Sequence, residues 1–377
     1  MTEQRFGISV VVPTRGRVRL LERLLCSLDK ARSKFEYPVE ILIVDDSPAP
    51  ARQEIEQFCR VYQAEYLPGT SSVREKRNLG IRESRYAIIL FVDSDCEVTP
   101  SLFDEHIKGY RENNLTIGGV VGVTEFVGED SWTWDVIERT QFLNAFSFAN
   151  RMEFAPWATC SNTSYRKDVL EKLGGFEIDW PLKLGADDVD LGLRLGKAGY
   201  RLRCNPNAVA FHTRETWNSF SAVWKRAFRW GRMDVHLYYR RHKDRVKVLF
   251  PGFRHLLFLL SLASVLEAVI FLSPWLLLSP LAWLMLVLAF RATLTLMWEK
   301  KRIGDFWKEL AADVLGIAFE LGTVFESLIR WEPTCFYKAV QRGPVLPTFV
   351  QQELITEGWS MWLSWLIVTL LQVAILK

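Results

Sequence analysis

Cysteine is scarce in this chain, and so is net charge. Six cysteines (Cys26, Cys59, Cys96, Cys160, Cys204 and Cys335) are scattered over 377 residues, with no CxxC pair and no zinc-type spacing. That excludes a disulfide scaffold and fits reduced, mostly buried thiols in a protein facing the cytosol. A net charge of +3 is too small for a nucleic-acid footprint, and no basic repeat or RNA-binding signature occurs, so no nucleic-acid partner is expected. Internal repeats and low-complexity tracts are missing too. The N-terminal stretch MTEQRFGISVVVPT lacks a signal-peptide pattern, because its apolar run is short and leads straight into a turn.

What the sequence does hold is uneven. Up to about Arg254 it is mixed and charged, and beyond that it is strongly apolar and rich in Trp and Leu. The first part contains three apolar runs of strand length: Gly7 to Val12, Val39 to Val44, and Ile88 to Val92. Leu20, Leu21, Leu24, Leu25 and Leu28 recur at helical spacing between the first two, and Ala51 to Tyr62 and Arg74 to Gly80 read as further helical segments. Strand, helix, strand, helix, strand predicts a parallel, right-handed βαβ array. Each run stops in a polar turn: Pro13 to Arg17, Asp45-Asp46-Ser47-Pro48, and Asp93-Ser94-Asp95. In a parallel array these turns line one sheet edge, where ligands of open α/β sheets collect. Two carboxylates one residue apart, just past a buried strand, suit a hard divalent cation bound through oxygen. Each turn alone also reads as ordinary loop chemistry, because Asp favours turn backbones. Convergence of several on one crevice is what argues for a site.

The ordered set VVPTRGR, IVDDS, REKRNLG and FVDSDCEV resembles the successive signatures of a family 2 glycosyltransferase with the GT-A fold, over roughly residues 6 to 235. The resemblance implies an α/β, Rossmann-like domain with a mostly parallel sheet. It implies that Pro13, Thr14 and Arg15 with Asp45 and Asp46 hold the nucleotide base and ribose, and that Arg77 and Asn78 position the donor. Asp93 would sit near the ribose and metal, with Asp95 as direct ligand of Mg²⁺ or Mn²⁺. Further on, Leu184-Gly185-Ala186-Asp187-Asp188-Val189-Asp190-Leu191 matches the family's Glu/Asp-Asp-x-Asp/Glu-Leu motif, with Asp187 where Glu is common. Inverting transfer needs a carboxylate to take the acceptor hydroxyl proton. Asp188 is the expected base, with Asp187 and Asp190 orienting it or meeting the acceptor. The competing reading is that these acids only cap a helix. His212 follows the run Ala208 to Phe211; it either completes the metal shell, as in related enzymes, or is structural. Arg226 to Trp230 partly resembles the Gln-x-x-Arg-Trp motif of processive polysaccharide synthases, with Arg226 replacing Gln. Arg229 and Trp230 are candidates for a diphosphate contact and an acceptor platform. They also suit an amphipathic helix seated among lipid headgroups.

Ten basic residues between Lys225 and Arg254 face only Asp234 and Asp244, a cytosolic juxtamembrane pattern. Leu256 to Leu272, Trp275 to Trp298 and Trp362 to Leu376 read as apolar spans, and Leu310 to Ile329 as either a span or an interfacial helix with Glu309, Asp313 and Glu320 on one stripe. The expected organisation is a catalytic domain over 1–235, a basic linker over 236–254, and a membrane domain of three or four helices over 255–377. That predicts a multi-pass protein of the inner membrane with a cytoplasmic active site. Its partners would be membrane lipid, a nucleotide-sugar donor (UDP-sugar first) and a lipid-linked or envelope glycan acceptor. The competitors are a processive polysaccharide synthase and a catalytically silent nucleotide-binding scaffold.

Overall fold

A computed structural model describes residues 5–110, 115–182, 185–247, 253–299, 301–336, 338–340 and 348–375. Leu184 of the Asp187 motif, part of the basic linker (248–252) and Leu376 at the end of the last expected span lie outside the described residues. The chain divides into two compact units, Met1–Asp130 with Phe142–Asn218, and Ser131–Gln141 with Ser219–Lys377. The sequence reading sets its division at residue 235; the structure instead groups residues 219–235 and the short segment 131–141 with the C-terminal helices.

In the first unit β1 (Arg5–Thr14), α1 (Val18–Arg32), β2 (Val39–Asp45), α2 (Ala51–Val61), β3 (Glu65–Pro68), α3 (Val73–Glu83) and β4 (Tyr86–Val92) follow the predicted alternation. Strands β1, β2, β3 and β4 pair in parallel, in the order β3-β2-β1-β4. Register aligns their carboxyl ends, since Thr14 lies opposite Asp45 and Val11 opposite Phe91. Alternation along β1 explains why helices cover both faces. Ile8, Val10 and Val12 pack with Leu21, Leu24, Leu25 and Leu28 of α1, whereas Val11 packs into the opposite layer. Ser72 caps the start of helix α3, its Oγ accepting the Glu75 N–H.

Beyond β4 come β5 (Cys96–Val98), α4 (Leu102–Lys108), β6 (Ile117–Val127), α5 (Trp132–Glu138), β7 (Phe154–Ala155), β8 (Asn162–Arg166), α6 (Lys167–Lys172), α7 (Asp187–Lys197) and β9 (Arg201–Thr213). The sheet continues β8-β6-β9-β5, with β7 on β9. Strand β8 runs antiparallel to both β4 and β6, so the parallel array gives way to a mixed half. Strand β8 is polar yet buried, which its partners make possible. His106 of α4 lies 2.9 Å from both Ser164 Oγ and Asn162 Oδ1, and Asn162 Nδ2 donates to the carbonyls of Val123 and Ala208.

Burial holds the His106 imidazole down at about 4. The unfolded chain takes up this proton below its ordinary value near 6.5, and the folded chain does not until about 4. Stability from this site is therefore present above 6.5 and is lost as pH falls between those limits, at about 1.4 kcal/mol per pH unit. Thermal melts should show Tm falling across that window, with a shallower fall in His106→Gln.

The second unit holds α5, α8 (Phe220–Asp234), α9 (Phe253–Ile270), α10 (Ser279–Trp298), α11 (Phe306–Arg330) and α12 (Thr348–Ile375). Among the described residues one helical stretch, Pro274–Trp298, is long and apolar enough to cross a membrane; the apolar parts of α9 (Leu259–Ile270) and α12 (Ser360–Ala374) are shorter. Helix α11 crosses α8 at glycine. A Cβ on Gly231 would lie 1.8 Å from the Phe319 carbonyl oxygen, and one on Gly322 would lie 1.9 Å from that of Phe228. The buried Glu326 carboxylate locks the crossing by accepting from Arg232, His236 and Arg330 at 2.7, 2.7 and 3.1 Å.

Candidate active site

The aligned ends of β1, β2 and β4 bring most of the expected acids to one edge. Asp45 is buried and accepts from Ser47 Oγ at 2.5 Å and from the Tyr66 hydroxyl at 3.2 Å. Asp46 pairs with Lys76 and lies 3.4 Å from Arg15. Lys76 also donates to the Thr14 carbonyl at 2.5 Å, so one ammonium ties the first two turns together. Its position beside Arg77 in the REKRNLG stretch was the available signal, but spacing alone does not say which turn a lysine reaches. Pro13 and Thr14 are buried at the end of β1, and Gly16, with φ +67°, donates its N–H to Ser47 Oγ at 2.6 Å.

Asp95 is 3% exposed. Its Oδ2 pairs with Arg17 at 2.6 Å and accepts from Thr216 Oγ1 at 3.0 Å, while Oδ1 has no hydrogen-bond partner among the described residues. Facing Oδ1 at 3.4 Å is Nε2 of His212. The other imidazole nitrogen, Nδ1, lies 2.8 Å from the Thr213 carbonyl oxygen and must donate to it, so in the neutral ring Nε2 carries a lone pair. A carboxylate oxygen and an imidazole lone pair at that distance repel unless a proton or a cation sits between them. The donor set therefore fits a divalent cation, with the Thr213 carbonyl orienting the ring from behind. Antiparallel pairing sets Cys96 opposite His212, and the Asp95, Cys96 and His212 ligand atoms lie within 4.8 Å of one another. Burial, followed by the charges of Asp93 and Asp95, pushes the Cys96 thiol well up, so it stays protonated beside the two hard donors. Phe126 stacks near the imidazole, with ring centroids 4.8 Å apart.

The second group of acids opens α7. Asp187 is buried and pairs with Arg77 Nη1 at 2.5 Å, with Arg74 Nε 3.8 Å away. The other end of the Arg77 guanidinium lies 3.7 Å from Asp93, so one buried cation spans the two acidic motifs. Asp188 is half-buried, and its Oδ1 accepts the Val189 N–H at 2.9 Å. Burial first, and the Asp187 charge second, push its carboxyl up to about 7 against the pull of Arg77. Asp190 receives Arg194 at 2.7 Å, and that arginine also donates to the Leu173 and Gly175 carbonyls. Asn78 spends both ends of its amide on the Phe176 backbone, at 2.7 and 2.8 Å, and so holds the turn beneath α7. Arg74, Lys76 and Thr216 thus join the candidate site without a role expected from sequence, and Arg17, of the turn expected at the base and ribose, pairs with Asp95. Arg229 and Trp230 lie on α8 of the second unit; Arg229 is half-buried, and its Nε has no hydrogen-bond partner among the described residues.

Residues 88–296, more than half of the chain, match the family model described as glycosyl transferase family group 2. Among curated proteins, the chondroitin synthase of Pasteurella multocida is 21% identical over 249 residues, covering 55% of this chain and 25% of that protein. The probable glycosyltransferase YdaM of Bacillus subtilis is 24% identical over 250 residues, covering 61% of this chain and 56% of that protein. The chain therefore spans a quarter to about half of the length of these two relatives. Among solved structures, the mannosyltransferase PcManGT from Pyrobaculum calidifontis, in complex with GDP-Man and Mn²⁺, aligns over 96% of this chain and 88% of that one. The identity there is 17% and the TM-score 0.48.

Proposed function

Because this chain belongs to glycosyl transferase family group 2, we propose that it is a metal-dependent, inverting glycosyltransferase. It moves a sugar from a nucleoside-diphosphate donor, UDP-sugar first, to a lipid-linked or envelope polysaccharide acceptor. The observation that carries this reading is the pairing of two acid sets through Arg77: the Asp93/Asp95 turn with His212 on one side, and Asp187/Asp188 on the other.

Each set has a task. Pro13, Thr14 and Arg15 with Asp45 and Asp46 form the turn edge that receives the base and ribose. Asp95 and His212 hold Mg²⁺ or Mn²⁺, which supplies positive charge beside the departing diphosphate. Arg17 keeps Asp95 Oδ2 engaged, which leaves Oδ1 to the ion. Asp188 takes the acceptor hydroxyl proton on the opposite face of the sugar, and a carboxyl near 7 suits a base working close to neutral pH. The membrane part of the proposal rests on the second unit. Leu259, Leu262, Leu281, Met285, Leu366 and Leu370 are all exposed on α9, α10 and α12, and exposed apolar side chains over several helices suit lipid better than water. The cytosolic face would carry the basic segment from Lys225 to Arg254.

The test is donor turnover by purified protein in detergent, over a panel of nucleotide sugars with and without Mn²⁺ or Mg²⁺. Metal-dependent release of one nucleoside diphosphate, lost in Asp95→Ala, is the expected result. Failure of every nucleotide to bind in calorimetry would overturn the enzyme reading.

A further inference from the structure

The turn that leads into α7 is costly to hold. Gly185 has φ +104°, and Ala186, a residue with a Cβ, sits in the left-handed region at φ +62°. No side chain caps the helix at Ala186, yet its carbonyl accepts the first helical hydrogen bond, from Asp190 N at 2.9 Å. The direction in which α7 presents Asp187 and Asp188 is therefore set by a strained, uncapped residue.

Arg74 lies against this turn. It is 2% exposed, and its two terminal nitrogens donate to backbone carbonyls, Nη1 to Leu182 at 2.8 Å and Nη2 to Gly185 at 2.7 Å. The Trp180 ring lies under the guanidinium, 5.6 Å from centroid to Cζ. Charge neutralisation of Asp187 does not account for this arrangement. The Nε to Asp187 separation is 3.8 Å, outside hydrogen-bond range, and Arg77 makes the direct pair. The directional bonds of Arg74 go to the turn, and only a planar fork with several donors spans two carbonyls in this way.

We infer that Arg74 is a positioning residue for the transfer reaction: its fork holds the Leu182 and Gly185 backbone so that α7 presents Asp188 to the acceptor. The inference rests on the reading of Asp188 as the base. Arg74 itself touches neither donor nor acceptor in this scheme, so its removal should act on turnover and spare nucleotide binding.

Arg74→Lys keeps the charge and loses the fork. Steady-state kinetics with the preferred donor should give kcat lower by roughly 10- to 100-fold, the scale expected when a reacting group is misplaced by about 1 Å, with donor KM and nucleotide affinity within about threefold. Adding Ala186→Gly to Arg74→Lys should recover part of kcat, because glycine adopts the positive φ without a tether. A merely structural role would lower the thermal midpoint and nucleotide affinity together and would gain nothing from the glycine. Arg74→Lys with a kcat within twofold of wild type overturns the inference, as does a parallel loss of kcat and nucleotide affinity. Asp188→Asn, measured alongside, separates the two failures. If it turns over normally, the base reading falls and takes the role of Arg74 with it; if it is inactive while Arg74→Lys is fully active, the positioning role alone falls.

Discussion

Asp188→Asn is expected to cut turnover by about 10³-fold while leaving nucleotide affinity close to wild type, in keeping with the 10²- to 10⁴-fold contribution of a general base. The asparagine keeps the shape and the Val189 N–H contact but cannot accept the acceptor proton. The rate should also follow the ionisation of this one group. Burial and then the Asp187 charge push the Asp188 carboxyl up to about 7. A base works only when ionised, so kcat/KM should rise with pH, reach half its plateau near 7, and fall tenfold for each unit below. Asp187→Asn removes the like charge and releases Arg77, and both changes favour the ionised form of Asp188. The acid limb should therefore move to lower pH in that variant. A pH–rate profile of wild type, Asp187→Asn and Asp188→Asn checks all three statements. Near-normal turnover by Asp188→Asn would end the assignment.

The parts of this architecture that were legible in sequence are those written in local pattern. Apolar runs ending in Asp-rich turns marked β1, β2 and β4, and because parallel register aligns strand ends, the donor edge followed from the runs themselves. The acidic start of α7 was legible for the same reason. Long-range pairing was not. Strand β8, Asn162-Thr163-Ser164-Tyr165-Arg166, has no apolar alternation to announce a buried strand; it is buried because His106 of α4 meets its Ser164 and Asn162 side chains, and the Val123 and Ala208 carbonyls take the Asn162 amide. Lys76 reaches Thr14, Arg74 reaches Gly185 and Thr216 reaches Asp95, over 62, 111 and 121 positions respectively, and no spacing rule encodes those reaches.

The second unit makes the same point. The acidic stripe on α11 left a span and an interfacial helix equally open. The structure turns part of it into ion pairs with other segments: Glu309 with Arg139 of the inserted 131–141 segment and with Lys301, and Asp313 with Arg291 of α10. That insertion joins the C-terminal helices through Arg139, which also pairs with Asp305 at 3.1 Å. Arg139 does not stand out in its own stretch of sequence. The partners that give it its place are more than 160 positions away.

Gly322→Ala and Gly231→Ala should each cost the second unit about 3–5 kcal/mol, the range for breaking a buried charge cluster. The obstacle in each case is a backbone carbonyl oxygen at 1.9 or 1.8 Å, so no side-chain rotation makes room and the helices must move apart. Separation also pulls Glu326 of α11 away from Arg232 and His236, leaving a carboxylate that is 0% exposed short of donors from α8 and the turns that follow it. Thr323 would lose its hydrogen bond to the Gly231 carbonyl as well, now 3.0 Å long. Gly316→Ala on the same helix is the control. A Cβ there meets nothing within 4 Å, and alanine in a helix interior is favoured over glycine by about 1 kcal/mol, so that variant should be neutral or slightly more stable. Thermal melts and limited proteolysis in detergent distinguish the three. The expected order is Gly316→Ala at or above wild type, with both crossing variants well below. A Gly322→Ala protein that melts with wild type would mean that α8 and α11 cross further apart than a shared glycine contact allows, and the role of this crossing in fixing the Arg229 and Trp230 helix would have to be given up.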